Sequence, residues 1–125
     1  MSIRFDETLG IHERALSLHM QRSEILASNL ANEDTPGFKA RDIDFAAEMQ
    51  RQDSSGVLLA SAGTNINAAR PDLKYRIPNQ PSQDGNSVEL STEQAEFSRN
   101  AMDFQTSLTF LTLKFRGLKQ AIEGR

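Results

Sequence analysis

The chain contains neither cysteine nor tryptophan, and one tyrosine and four prolines in 125 residues. Without cysteine it has no disulfide and no thiolate metal site, and the redox compartment leaves no trace in its composition. No apolar run approaches the ~20 residues that span a bilayer, so direct membrane insertion is not expected. Met1 to Leu9 has no apolar core and no small-residue cleavage site, so a cleavable signal peptide is not expected either. A formal net charge of −3 with interspersed signs provides no basic face for phosphates, which excludes nucleic acid from the expected partners. Hydrophobic residues make up 38% of the chain and mean hydropathy is −0.51, thin for a self-sufficient core. The length fits one domain or one elongated unit.

What the chain does have is periodicity at both ends. Phe5, Leu9, His12, Leu16, His19, Ser23, Leu26 and Leu30 recur at alternating spacings of four and three. Phe97, Ala101, Phe104, Leu108, Leu111, Phe115, Leu118 and Ile122 do the same and are all apolar. That alternation keeps one stripe in register along a slightly underwound helix, the pattern of a coiled-coil seam. A second stripe, Ile11, Ala15, Leu18 and Ile25, flanks the first, and two apolar faces on one helix call for two sets of neighbours. The expected fold is mainly α. Long helices in 1–33 and 91–125 pair as a coiled coil, joined by a largely irregular segment, 34–90, with a short helix and short extended pieces. A bare pair leaves the outer half of each ladder wet, so these helices need neighbours.

Ser91 and Gln94 have the spacing of a capping box. Glu93 and Glu96 near the start of the last helix, and Lys114, Arg116 and Lys119 near its end, match the helix dipole. Gly117 weakens that end by ~1 kcal/mol relative to alanine. In the middle segment Asp42 to Arg51 reads as a short helix presenting Phe45 and Met49, and Leu73, Tyr75 and Ile77 alternate with Lys74 and Arg76 as in a strand. Gly63, Asn65, Asn67, Pro71, Pro78, Pro81 and Gly85 break any longer period, and Val57-Leu58-Leu59 is the single short apolar run there.

The run Ala27-Ser28-Asn29-Leu30-Ala31-Asn32-Glu33-Asp34-Thr35-Pro36-Gly37-Phe38 stops a helix and reverses the chain. Asn32 tolerates the left-handed conformation that ends helices. Thr35 is pushed out of the helical region by the proline behind it. Pro36-Gly37 fits the central positions of a type II turn, after which an extended, charged segment begins.

Candidate chemistry is sparse. His12 and His19 stand seven apart on one stripe, whereas metal pairs on a helix sit at i, i+4, so they read as packed or interfacial. Arg41, Asp42 and Asp44 lack any companion histidine or nucleophile motif and read as a charge cluster. The glycines form no phosphate-cradling loop. No catalytic role, metal or cofactor is expected.

The run from Ala27 through Asp42 resembles the N-terminal signature of the flagellar axial proteins, the rod, hook and hook-associated family, and its longer form, on through Phe45, looks most like the proximal-rod type. Asn86-Ser87-Val88-Glu89-Leu90, Gln94-Ala95-Glu96, Asn100-Ala101, Phe104-Gln105 and Lys114 through Ile122 carry the same resemblance at the other end. Together they cover about two-thirds of the chain. The sequence lacks the Gln-Arg-aromatic-Glu-Ala-Asn-like run of other rod proteins, and its short middle differs from the larger distal-rod and hook proteins. Phe38 stands where tyrosine is also usual, and Ser91 where an acidic residue is common.

The resemblance implies a structural subunit of the flagellar basal-body rod, exported through the flagellar type III apparatus and assembled helically across the periplasm. Its implied partners are further copies, other rod proteins and an adaptor to the membrane ring, and its implied role is to transmit torque to the distal rod and hook. The expected assembly interface comprises Leu9, Leu16, Leu26 and Leu30; the turn residues Asn32, Thr35, Pro36, Gly37 and Phe38; and Arg41, Asp42 and Phe45 beyond it. On the last helix it comprises Phe97, Phe104, Leu108, Leu111, Phe115, Leu118 and Ile122. Arg41 and Asp42 are expected to pair across a subunit boundary. The competing reading is a small cytoplasmic helical adaptor or chaperone that binds a partner helix.

Overall fold

The computed structural model describes the backbone of residues 5–58 and 70–124 and the side chains of 9–52 and 70–124. Its elements are α1 (Phe5–Ala31), β1 (Arg41–Ile43), α2 (Phe45–Leu58), β2 (Leu73–Tyr75) and α3 (Leu90–Glu123). The side chains of Phe5 and of Val57-Leu58-Leu59, and the breakers Gly63, Asn65 and Asn67, lie outside the described residues.

The two terminal helices are long, as their ladders predict, and they lie antiparallel. Going forward along α1, the partners on α3 run backward: Phe110 faces His12, Asn100 faces His19, and Glu93 faces Asn29. Along α1, Leu26 and His19 are buried, and Leu9, His12, Leu16, Ser23 and Leu30 are partly buried. Its second stripe also has a neighbour, since α1 touches β1 and α2 as well as α3. Leu18 there is wholly buried, while Ile11 remains half exposed.

On α3 the seam coincides with the apolar ladder only in part. Glu93 and Asn100 are wholly buried, and Phe104, Ser107, Leu111 and Leu118 partly so. Five of the eight ladder residues therefore flank the contact with α1 instead of filling it. Among the described residues the buried apolar side chains are Leu18, Leu26, Ala40 and Ile43, and seven buried residues are polar. The interior is held largely by hydrogen bonds, which reconciles a helical fold with the low mean hydropathy.

The reversal after α1 forms as the proline–glycine pair demands. The Phe38 N–H donates to Thr35 O at 3.3 Å across Pro36-Gly37, and Gly37 has φ +73°. Asn32 does not take the left-handed conformation expected of it. Its side-chain amide instead donates back to Ser28 O at 2.7 Å, and its Oδ1 accepts the Thr35 hydroxyl at 3.1 Å. A Cβ at Gly37 meets no atom within 4 Å, so the cost read for Gly37→Val is the backbone strain of a β-branched residue at positive φ. We expect about 1–2 kcal/mol of destabilisation, read as a lower melting temperature.

The segment before α3 closes this turn. Asn86 Nδ2 reaches the carbonyls of Asn32, Glu33 and Thr35 at 2.9, 2.6 and 2.9 Å, gathering the backbone of the turn just past α1. Ser87 N donates to Phe38 O, Ser87 Oγ accepts from Ala40 N, and Gly37 N donates to Asp84 O.

β1 and β2 pair antiparallel, with Arg41 opposite Tyr75 and Ile43 opposite Leu73. Because Asp42 and Ile43 belong to this ribbon, α2 starts at Phe45 and not at Asp42. Asp44 caps it, accepting from Ala47 N at 3.2 Å, and the helix continues past Arg51 to Leu58. Buried Glu48 ties α2 to the ribbon by accepting from Asp72 N and from Arg51. α3 starts at Leu90, so Ser91 lies inside its first turn and the capping box does not form. The preceding Glu89 carboxylate accepts from Asn79 N and Gln80 N, which fixes the loop instead. α3 passes through Gly117 to a left-handed cap at Gly124, and Lys114, Arg116 and Lys119 stand ahead of its last turn, which holds no basic residue.

Candidate assembly surface

Arg22, on the face of α1 turned to the ribbon, makes a two-pronged contact with Asp42. Nε to Oδ1 and Nη2 to Oδ2 are both 2.9 Å, and Nη2 also reaches Glu96 Oε2 at 2.7 Å. Arg76, just past β2, approaches Asp42 Oδ2 from the other side at 2.8 Å. Its Nε lies 2.9 Å from Glu93 Oε1, an ion-pair contact in which the N–H is not aimed for a hydrogen bond. The other oxygen of Glu93 accepts from Asn29 Nδ2 at 3.0 Å. Two guanidiniums and three carboxylates thus lock α1, the β1–β2 ribbon and the start of α3 together. Planar guanidinium suits this work, since it meets two acceptors in fixed geometry.

Asn29 does a second job. Its Oδ1 accepts from Arg41 N at 3.1 Å and its Nδ2 donates to Arg41 O at 2.7 Å. A side-chain amide stands where a neighbouring strand would, and closes the outer edge of β1. Nearly three turns back along α1, His19 Nδ1 and Asn100 Oδ1 are 2.8 Å apart, and Asn100 Nδ2 donates to His19 O and Ser23 Oγ. Both amide protons are committed as donors, so Oδ1 accepts and His19 carries its proton on Nδ1. The imidazole also stacks on Phe45, with centroids 4.4 Å apart.

Burial acts to raise the Asp42 pKa, but the Arg22 hydrogen bond and charge, with the Ile43 N–H and Arg76, outweigh it and hold the carboxyl below its ordinary value. The Arg22 guanidinium is pushed up, chiefly by its hydrogen bond to Asp42 against the opposing effect of burial. A folded-state pKa below the unfolded one adds stability above the ordinary aspartate value of about 3.9, which is lost as pH falls through the lower folded value. We therefore expect the urea midpoint to fall below about pH 4, and Asp42→Asn to flatten that part of the profile.

The expected interface residues divide into four groups. Leu26 is buried inside the chain, and Leu9, Leu16, Leu30, Phe104, Leu111 and Leu118 are partly covered along the α1–α3 contact. Phe97, Leu108, Phe115 and Ile122 lie beside that contact and stay open, Phe115 by 53% and Ile122 by 78%. In the turn, Thr35, Pro36 and Gly37 are exposed, with Asn32 and Phe38 partly buried. Arg41 is exposed over the Tyr75 ring, 5.4 Å from its centroid. Asp42 is engaged by Arg22 and Arg76 of its own chain, which revises the expectation that it pairs with Arg41 of a neighbour.

Leu9, Phe115, Leu118 and Ile122 line an apolar groove of about 490 Å³ where the helix ends meet. Among the described residues no group of three His, Asp or Glu side chains is placed to hold a metal, and no helix is long and apolar enough to cross a membrane. Arg22, Asn29, Arg76 and Asn86 went unread because their partners lie 12–74 positions away. Glu93 and Asn100 left one signal, the seven-residue interval that they share with Ser107.

The family described as Flagella basal body rod protein matches residues 9–39, the stretch that ends in the proline–glycine turn. A flagellar basal body rod protein FlgB of Aeromonas hydrophila is 45% identical to this chain, over 99% of the chain and 98% of that relative. FlgB of Salmonella typhimurium is 39% identical over 97% and 96%, and FlgB of Cereibacter sphaeroides 44% over 96% and 97%.

Proposed function

Since this chain belongs to the FlgB family of flagellar basal body rod proteins, which are structural and not enzymes, we propose that it is a rod subunit whose terminal helices pair as a coiled coil and pack helically against further copies and other rod proteins. The observation that carries the reading is the open apolar shoulder of α3. Phe97, Leu108, Phe115 and Ile122 flank a helix pair already locked by its polar seam, so they remain for contacts between subunits. A heterologous contact repeated by a screw operation builds a filament, and a stiff pair of helices in each subunit suits a shaft that carries torque. On this reading the subunit travels through the flagellar export apparatus without a cleavable signal, stands in the periplasmic part of the basal body, and meets an adaptor at the membrane ring. Deletion in a flagellated host tests it: basal bodies isolated as rings without a rod support the reading, and complete filaments with normal swimming overturn it.

A further inference from the structure

The two edges of the β1–β2 ribbon are not alike. The outer edge of β1 is closed by the Asn29 amide. On β2, Arg76 N donates to Ala40 O at 2.9 Å, which sets the phase of the ladder. Ala40–Arg76 and Asp42–Lys74 are then the bonded pairs, and the N–H and C=O groups of Leu73 and Tyr75 point away from β1. Among the described residues nothing meets them. The side chains along this edge are also open: Leu73 by 39%, Tyr75 by 65% and Ile77 by 90%. Pro71 and Pro78 bracket the strip, so it offers a short, bounded edge.

We propose that the free edge of β2 receives an extended, acidic segment of a partner protein, adding a third strand to the ribbon. Main-chain bonds to Leu73 and Tyr75 would hold the segment, and the apolar side chains of the strip would fix its register. Charge selects the occupant. Lys74 is answered by Asp44 and Arg76 by Asp42 and Glu93, whereas neither Arg41 nor Arg70, which flank the strip, faces a carboxylate among the described residues. A second copy fits poorly, because antiparallel pairing centred on Tyr75 sets Lys74 opposite Arg76 twice. Residues 59–69 carry no charge at all and would leave Arg41 and Arg70 unanswered. Acidic residues alternating with apolar ones satisfy both requirements.

This inference rests on the rod reading and names one of its contacts. The test places a benzophenone amino acid at Ile77 in a flagellated host whose swimming shows that rods are complete. The expected product joins this chain to a different protein, at a peptide in which acidic and apolar residues alternate. Adducts only between copies, adducts only to residues 59–69 of the same chain, or none in swimming cells would each overturn it and leave the rod reading standing. Tyr75→Pro removes one outward N–H and spares the bonds to β1, as prolines on edge strands do, so it should cut the adduct at least about tenfold. An unchanged yield from that variant also overturns the proposal.

Discussion

Arg76→Met is expected to lower the free energy of unfolding by about 3–5 kcal/mol, a large part of the about 5–15 kcal/mol typical of a domain. The substitution keeps the bulk of the side chain and removes its charge. Glu93, wholly buried, then retains the Asn29 amide but has no cation, and Asp42 keeps Arg22 alone. Breaking a buried pair costs more than the pair contributes, because the surviving charge stays out of water. Urea unfolding measures the loss. Adding Glu93→Gln to Arg76→Met should recover at least about 1 kcal/mol, since it removes the stranded charge. Strict additivity of the two single changes would show that this ion pair does not couple the ribbon to α3.

Leu108→Asp with Phe115→Asp should abolish incorporation into rods while the purified subunit melts almost as before. Both side chains are open in the subunit, Leu108 by 38% and Phe115 by 53%, and open positions ordinarily shift stability by about 0.5 kcal/mol or less. Buried between subunits, each unpaired carboxylate would cost several kcal/mol. Leu111→Asp serves as the contrast, because Leu111 lies partly covered on the seam with α1 and its change should weaken the subunit itself. Swimming of the double variant at the normal rate would remove this shoulder from the contacts between subunits.

The parts of the fold that were legible are those governed by neighbours in sequence. Apolar periodicity marked both long helices, Pro36-Gly37 specified its turn, and the alternation around Tyr75 marked β2. The position of the α3 seam was not legible in the same way. Eight apolar rungs drew attention to one stripe, while the contact with α1 is anchored by Glu93 and Asn100, whose burial depends on Arg76, Asn29 and His19. A polar residue is a core residue only once its partner is known, and these partners are remote. Asp42 shows the same limit: as one charge among several it looked available, and only the folding of Arg22 and Arg76 around it commits it.

The Asn86 amide imposes an order of events on the molecule. It ties down the turn after α1 from 51 to 54 positions downstream, and the seam closes through partners as much as 81 apart. The turn that follows α1 is thus complete only when the segment before α3 has folded back onto it. Contacts of such wide separation also form slowly, since long loops must close before they are rewarded. The turn after α1 and the seam with α3 therefore close only once residues from both ends of the chain are present together.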